Sequence, residues 1–173
     1  PLTNLGMEQA KLTGQMLYQS LSDRKFDKLI IECSPFIRTM QTASQIANEF
    51  KTKEIIVNFQ ACEILIEHDF KFDPIPSIEF SQNDKSFKKM VENLKDKYQP
   101  FFSASDFDFK VIDEICPLYP EDTTSGAKRF INLRSRINDI LSEHSKAGKS
   151  VCFLVVSHGY FVDCWDKFQP LEV

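Results

Sequence analysis

No stretch of this sequence has the length of a membrane span; the longest apolar run is Val151–Val156. No secretory signal opens it, and no internal repeat or low-complexity linker interrupts it. No CxxC pair occurs among the five cysteines, Cys33, Cys62, Cys116, Cys152 and Cys164. That argues against a zinc site or a disulfide framework and for reduced thiols in an intracellular protein. There is no excess of positive charge either. Lys and Arg number 21 against 25 Asp and Glu, a net charge of -4. Such a chain has no general attraction for nucleic acid or anionic lipid. Three histidines, His68, His144 and His158, lie too far apart to form a recognisable metal set.

What is present suits one globular domain. Hydrophobic residues make up 42% and charged residues 27% of 173 residues, enough for one core. The chain opens on Pro1-Leu2-Thr3 rather than Met, and is expected to be part of a longer protein.

Thr3 is placed to cap a first helix running to about Leu21. Small residues (Gly6, Ala10, Gly14) recur at helical spacing, which predicts close packing against a sheet near the helix start. Lys28-Leu29-Ile30-Ile31-Glu32-Cys33 reads as a strand. Ser34 then reads as an N-cap and Pro35 as the first residue of a helix whose inner face carries Thr39, Thr42, Ala43, Ile46, Ala47 and Phe50. Glu54 to Val57 is a second strand.

Residues 66–124 are rich in Phe, Asp, Lys and Pro. They read as an insertion or lid beside the main sheet, with a helix over 85–98 and a short strand over 107–112. Ser125 is placed to cap the next helix, with Phe130, Leu133, Ile137, Ile140, Leu141 and His144 as its buried stripe and Gly148 as its stop. His144 suits the end of that helix, where a cation is favourable. Val151–Val156, continuously apolar, is expected to be a central strand covered on both faces.

Helix, strand, helix, strand, insertion, helix, strand is an α/β order, with helices on both faces of a mostly parallel sheet. Ligands bind such sheets beyond the carboxyl ends of the strands. Two strands end there in polar signatures, one followed by Arg38 and the other by Ser157-His158-Gly159. Arg38, in the first turn of its helix, joins a guanidinium fork to a helix N-terminus, a combination suited to phosphate. Taken alone, it is no more than a surface arginine. His158 follows a buried strand, where a ring that titrates near neutrality can face a ligand. Glu63 is a candidate general acid at the mouth of such a site, with Glu67 as its competitor; the spacing does not decide between them.

Read together, these segments resemble the histidine phosphatase superfamily, which includes the phosphoglycerate mutases. Residues 1–10, PLTNLGMEQA, resemble that family's PLTxxGxxQA helix start. Residues 34–43, SPFIRTMQTA, match its SPxxRTxQTA signature. Tyr119-Pro120-Glu121 with Phe130 and Arg134 resembles its YPE…F…R stretch. Val156-Ser157-His158-Gly159 matches its second-histidine motif. The resemblance implies a phosphoglycerate-mutase-like three-layer α/β/α fold over a single partial domain, 1–173.

It also implies a reaction. A histidine attacks the phosphoryl group, an arginine cage with the second histidine neutralises its oxygens, and a carboxyl group protonates the leaving oxygen. On that mapping Arg38 and His158 belong to the phosphate cage and Glu63 is the proton donor. No metal or cofactor is implied. The substrate would be a phosphorylated small molecule or phosphoprotein. The family's nucleophile sits in an Arg-His-Gly motif before PLT, and no Arg-His-Gly occurs in this sequence. Two expectations therefore stand: a phosphomonoesterase whose nucleophile lies upstream, or an inactive relative serving as a cytoplasmic, even cytoskeletal, interaction subunit. A third is a small-molecule-binding α/β domain without phosphoryl chemistry, which requires Arg38 and His158 to point apart.

Overall fold

In a computed structural model of the chain, residues 1–58, 61, 101–102, 109–111, 122–159 and 161–162 are described. Their elements are α1 (Asn4–Leu21), β1 (Lys28–Cys33), α2 (Ile37–Ala47), β2 (Lys53–Val57), β3 (Phe109–Val111), α3 (Thr123–Lys146) and β4 (Val151–Val156). The four strands form one parallel sheet in the order β3-β2-β1-β4. Within residues 66–124, Phe109–Val111 thus joins the sheet itself. The helix expected over 85–98, Tyr119-Pro120-Glu121, Glu63, Glu67 and His68 lie outside the described residues.

Side-chain alternation along the strands divides the core in two. Leu29, Ile31 and Cys33 of β1 pack with Ile55, Val57 and Val156 against α2 residues Met40, Ala43, Ile46 and Ala47. On the opposite face, Phe153 and Val155 of β4 pack against Phe130, Leu133 and Ile137 of α3. The result is the three-layer α/β/α arrangement with a helix on each face.

The order has a direct consequence for where a ligand can sit. From β1 the chain moves through α2 to β2 on one side; α3 later returns it to β4 on the other side. Parallel crossovers keep one hand, so reversing direction puts the helices on opposite faces. A crevice opens between the carboxyl ends of β1 and β4, where the helices part.

Several local details differ from the sequence reading. The small face of α1 meets α2 rather than the sheet; a Cβ on Gly14 would lie 2.9 Å from the Ile46 Cα. Helix α2 is consequently buried on two sides, by the sheet and by α1, which explains why Met40, Gln41 and Ser44 are buried beyond the expected stripe. Helix α2 starts at Ile37 with Phe36 as its N-cap and no side-chain cap bond, not at Ser34-Pro35. The Ser34 oxygen is engaged elsewhere, as described below.

Asp122, not Ser125, caps α3, accepting a bond from the Ser125 N–H at 2.7 Å. At the other end Gly148 has φ +68. Its N–H bonds the Ser145 carbonyl, and the Lys149 N–H bonds that of His144. This paired closure is favoured by glycine because a side chain resists positive φ. Strand β4, expected at the centre, pairs with β1 alone among the described residues, and residues 151–155 are half-buried. Among the described strands, β1 is paired on both sides and buried from Leu29 to Cys33. No described helix is long and apolar enough to cross a membrane.

Candidate functional site

Two chain segments arrive at the β1/β4 crevice. The ladder continues past both strand ends, with the Ser34 N–H bonded to the Val156 carbonyl at 3.1 Å and the Asn58 N–H to that of Cys33 at 2.9 Å. The Thr39 hydroxyl donates to the carbonyls of Ser34 and Phe36, at 2.9 and 2.7 Å, and so fixes the turn from β1 into α2. Arg38 therefore projects from the first turn of α2, where the helix dipole is positive. His158 comes from β4, one residue beyond Ser157. A helical turn starts after it, marked by the Val162 N–H bonding the His158 carbonyl at 3.1 Å.

The two side chains meet. Arg38 Nη2 donates to His158 Nδ1 at 2.9 Å. A guanidinium has only donors, so Nδ1 accepts and the ring proton sits on Nε2. Nε2 donates to the Ser34 hydroxyl oxygen at 2.9 Å. The ring of Phe36, fully buried, supports both partners. It meets the His158 ring edge-on with centroids 4.7 Å apart and lies 4.6 Å from the Arg38 guanidinium carbon. Both ring nitrogens of His158 are engaged, and the residue is 7% exposed. Burial, then the adjacent Arg38 cation, lowers the His158 pKa to about 3. The imidazole is neutral at physiological pH.

Around this pair lies an open cleft of about 400 Å³ lined by Leu2, Arg38, Thr39, Thr42, Val156 and the Ser157-His158-Gly159 turn. One guanidinium, the start of an uncapped helix and a neutral imidazole give it the chemistry of an anion site. Of the three residues singled out from sequence, Arg38 and His158 come together here, and Glu63 lies outside the described residues. His144 ends α3 at the opposite edge of the sheet.

The sequence reading missed the supporting residues. Ser34 and Phe36 hold the His158 ring, though Ser34 read as a cap and Phe36 as a variable position. A second omission lies under the sheet. Glu32 of β1 is fully buried, bonded by Arg136 of α3 and by the Asn58 side chain. A carboxylate inside an otherwise apolar strand was the available signal, because buried charge requires partners. The Asn58 carbonyl accepts from the Ala61 N–H, and the Ala61 carbonyl accepts from the Ser157 hydroxyl. Asn58 and Ala61 are thereby tied to Glu32 on one side and to Ser157 on the other. Cys33 is fully buried, and burial pushes its thiol far above the usual range, which leaves it unreactive.

No curated protein matches this chain in a sequence search. The family model of the histidine phosphatase superfamily (branch 1) matches residues 1–106. The match includes α1, the turn carrying Ser34 and Arg38, and α2; His158 lies beyond it. With more than half of its residues matched, and a parallel α/β/α sheet to carry them, this chain belongs to the histidine phosphatase superfamily.

Proposed function

We propose that this chain provides the phosphate-gripping part of a phosphomonoesterase that works through a phosphohistidine. The observation that carries the reading is the 2.9 Å contact between Arg38 and His158 at the sheet's switch point. Phosphoryl transfer depends mainly on positioning and on neutralising the equatorial oxygens. Arg38 and the N–H groups at the start of α2 supply that neutralisation. His158 adds a hydrogen bond from one side and accepts a proton as the dianion enters.

The nucleophile would come from an Arg-His-Gly segment upstream of Pro1 in the full protein. A strand added in parallel beside β4 would end next to His158, and the apolar, half-buried β4 suits such a neighbour. The upstream imidazole nitrogen attacks phosphorus and the P–O ester bond breaks. The leaving oxygen takes a proton from a carboxyl group, for which Glu63 is the candidate. Water then cleaves the P–N bond and releases phosphate. The substrate is a phosphorylated small molecule or phosphoprotein, met in the cytoplasm.

The test is hydrolysis of 4-nitrophenyl phosphate by the full-length protein. Arg38→Ala and His158→Ala should each lose about 10²–10³ in turnover. A protein that carries Arg-His-Gly and turns nothing over overturns the reading. A second reading is an inactive relative that keeps the Arg38–His158 cleft and binds anions or protein partners. A full-length protein with another residue at the nucleophile position, binding inorganic phosphate without turnover, would support it.

A further inference from the structure

Gln41 occupies a signature position yet touches neither Arg38 nor His158 in any bond described above. It is 6% exposed and lies three residues beyond Arg38 in α2. Its amide oxygen accepts the Leu2 N–H at 2.7 Å, and its amide nitrogen donates to the Phe101 carbonyl at 3.1 Å. Those partners are 39 and 60 residues away in sequence. Leu2 is itself a wall of the cleft. One buried side chain therefore fastens the segment entering α1 and the segment at 101–102 to the helix that presents Arg38.

We infer that Gln41 is a positioning residue for the phosphate site, holding the Leu2 backbone at the cleft wall and tying the Phe101 backbone to the same helix. The inference rests on the anion-binding reading of the Arg38–His158 cleft. An amide suits this role because it accepts with one atom and donates with the other. A carboxylate accepts twice, and a thioether accepts only weakly and donates nothing. The Leu2 anchor sets where the chain leaves α1 backwards, the direction from which the proposed nucleophile comes. A displacement of about 1 Å at such a position is enough to cost up to about 10²-fold.

Glutamate at 41 gives the position a titratable signature. When protonated, a Glu carboxyl accepts from Leu2 and donates to Phe101, as Gln does. When ionised, it faces the Phe101 carbonyl with a second acceptor. A buried carboxyl holds its proton to higher pH than usual. Gln41→Glu should therefore match wild type at low pH and weaken as pH rises, whereas Gln41→Met should be impaired throughout.

The experiment measures the Kd of inorganic phosphate for the full-length protein from pH 5 to 8, for wild type, Gln41→Met, Gln41→Glu and Arg38→Ala. Each affinity is divided by the wild-type value at the same pH, which removes the titration of phosphate itself. We expect Gln41→Met to bind about tenfold or more weakly at every pH. Gln41→Glu should approach wild type at pH 5 and fall toward the Met variant by pH 8. If Gln41→Met does not fold, the pH signature of Gln41→Glu decides alone. Unchanged phosphate affinity in the folded Met variant, or a flat ratio for the Glu variant, overturns the inference while leaving the Arg38 result intact. If wild type binds no phosphate, or Arg38→Ala binds as well as wild type, the underlying reading fails instead.

Discussion

Arg38 and His158 are 120 residues apart in sequence and 2.9 Å apart in space, donor nitrogen to acceptor nitrogen. The contact occupies the one ring nitrogen that could otherwise take a proton. Burial and the neighbouring cation then hold the imidazole neutral, with a pKa of about 3.

His158 should consequently gain charge only when an anion arrives. Its ring resonances should show no titration between pH 5 and 8 in the free protein. With saturating inorganic phosphate, the pKa should move up toward the ordinary value of about 6.5. The same depression makes a stability prediction. Below about pH 6.5 the unfolded chain binds a proton that the folded ring refuses. Stability from this residue is complete above that pH and falls as pH drops toward about 3. The slope is at most about 1.4 kcal/mol per pH unit. Between pH 6.5 and 4.5 the effect is separated from Glu54, whose carboxyl is held below its usual 4.5 first by the Lys28 hydrogen bond. Urea midpoints across that window should fall for wild type and stay flatter for His158→Gln.

Phe36 is the shared support of the pair. Phe36→Leu keeps an apolar side chain but removes the ring face under the guanidinium and the edge contact with the imidazole. Cation–π contacts contribute about 1–2 kcal/mol when desolvated. Phosphate binding by calorimetry should weaken about tenfold, and the unfolding free energy should drop by roughly 1–2 kcal/mol. Equal phosphate affinity in a folded Phe36→Leu protein would dismiss a supporting role for the ring.

The buried ion pair should respond unequally to loss of either partner. Glu32 is fully buried, whereas the Arg136 side chain is 25% exposed and can turn to water. Arg136→Met takes a cation from a buried carboxylate and should cost about 3 kcal/mol. Glu32→Gln keeps an acceptor for Asn58 and should cost about 1–2 kcal/mol. Denaturant unfolding of both variants and the double variant checks the order. The double variant should resemble Glu32→Gln.

The α1–α2 contact depends on a missing side chain. A Cβ at Gly14 would meet the Ile46 Cα at 2.9 Å and the Ile46 carbonyl oxygen at 3.1 Å, both backbone atoms. Gly14→Ala should destabilise by about 1–3 kcal/mol despite the better helix propensity of alanine. Gly159, with nothing among the described residues within 4 Å of an added Cβ, should accept Ala within about 0.5 kcal/mol. Thermal denaturation separates the two.

The sequence alone determined what local chemistry can write. Thr3 caps α1 because its hydroxyl reaches the Gly6 N–H, a bond made within one turn. Gly148 stops α3 because positive φ is cheap only for glycine. β1 and β4 were legible from their apolar runs, and the polar residues after each strand pointed to one sheet edge.

Tertiary structure decided everything that needed a distant partner. Ser34 has the chemistry of a cap, but the His158 ring claims its oxygen, and α2 begins three residues later. Glu32 is a carboxylate in a mostly apolar strand, and its partner Arg136 comes from 104 residues away. β4 has the composition of a central strand, yet among the described residues it pairs with β1 alone, because strand order depends on which way each crossover turns. Helical and extended periodicities are properties of neighbouring residues. Hydrogen-bond partners, sheet order and burial are set by the whole chain packing at once.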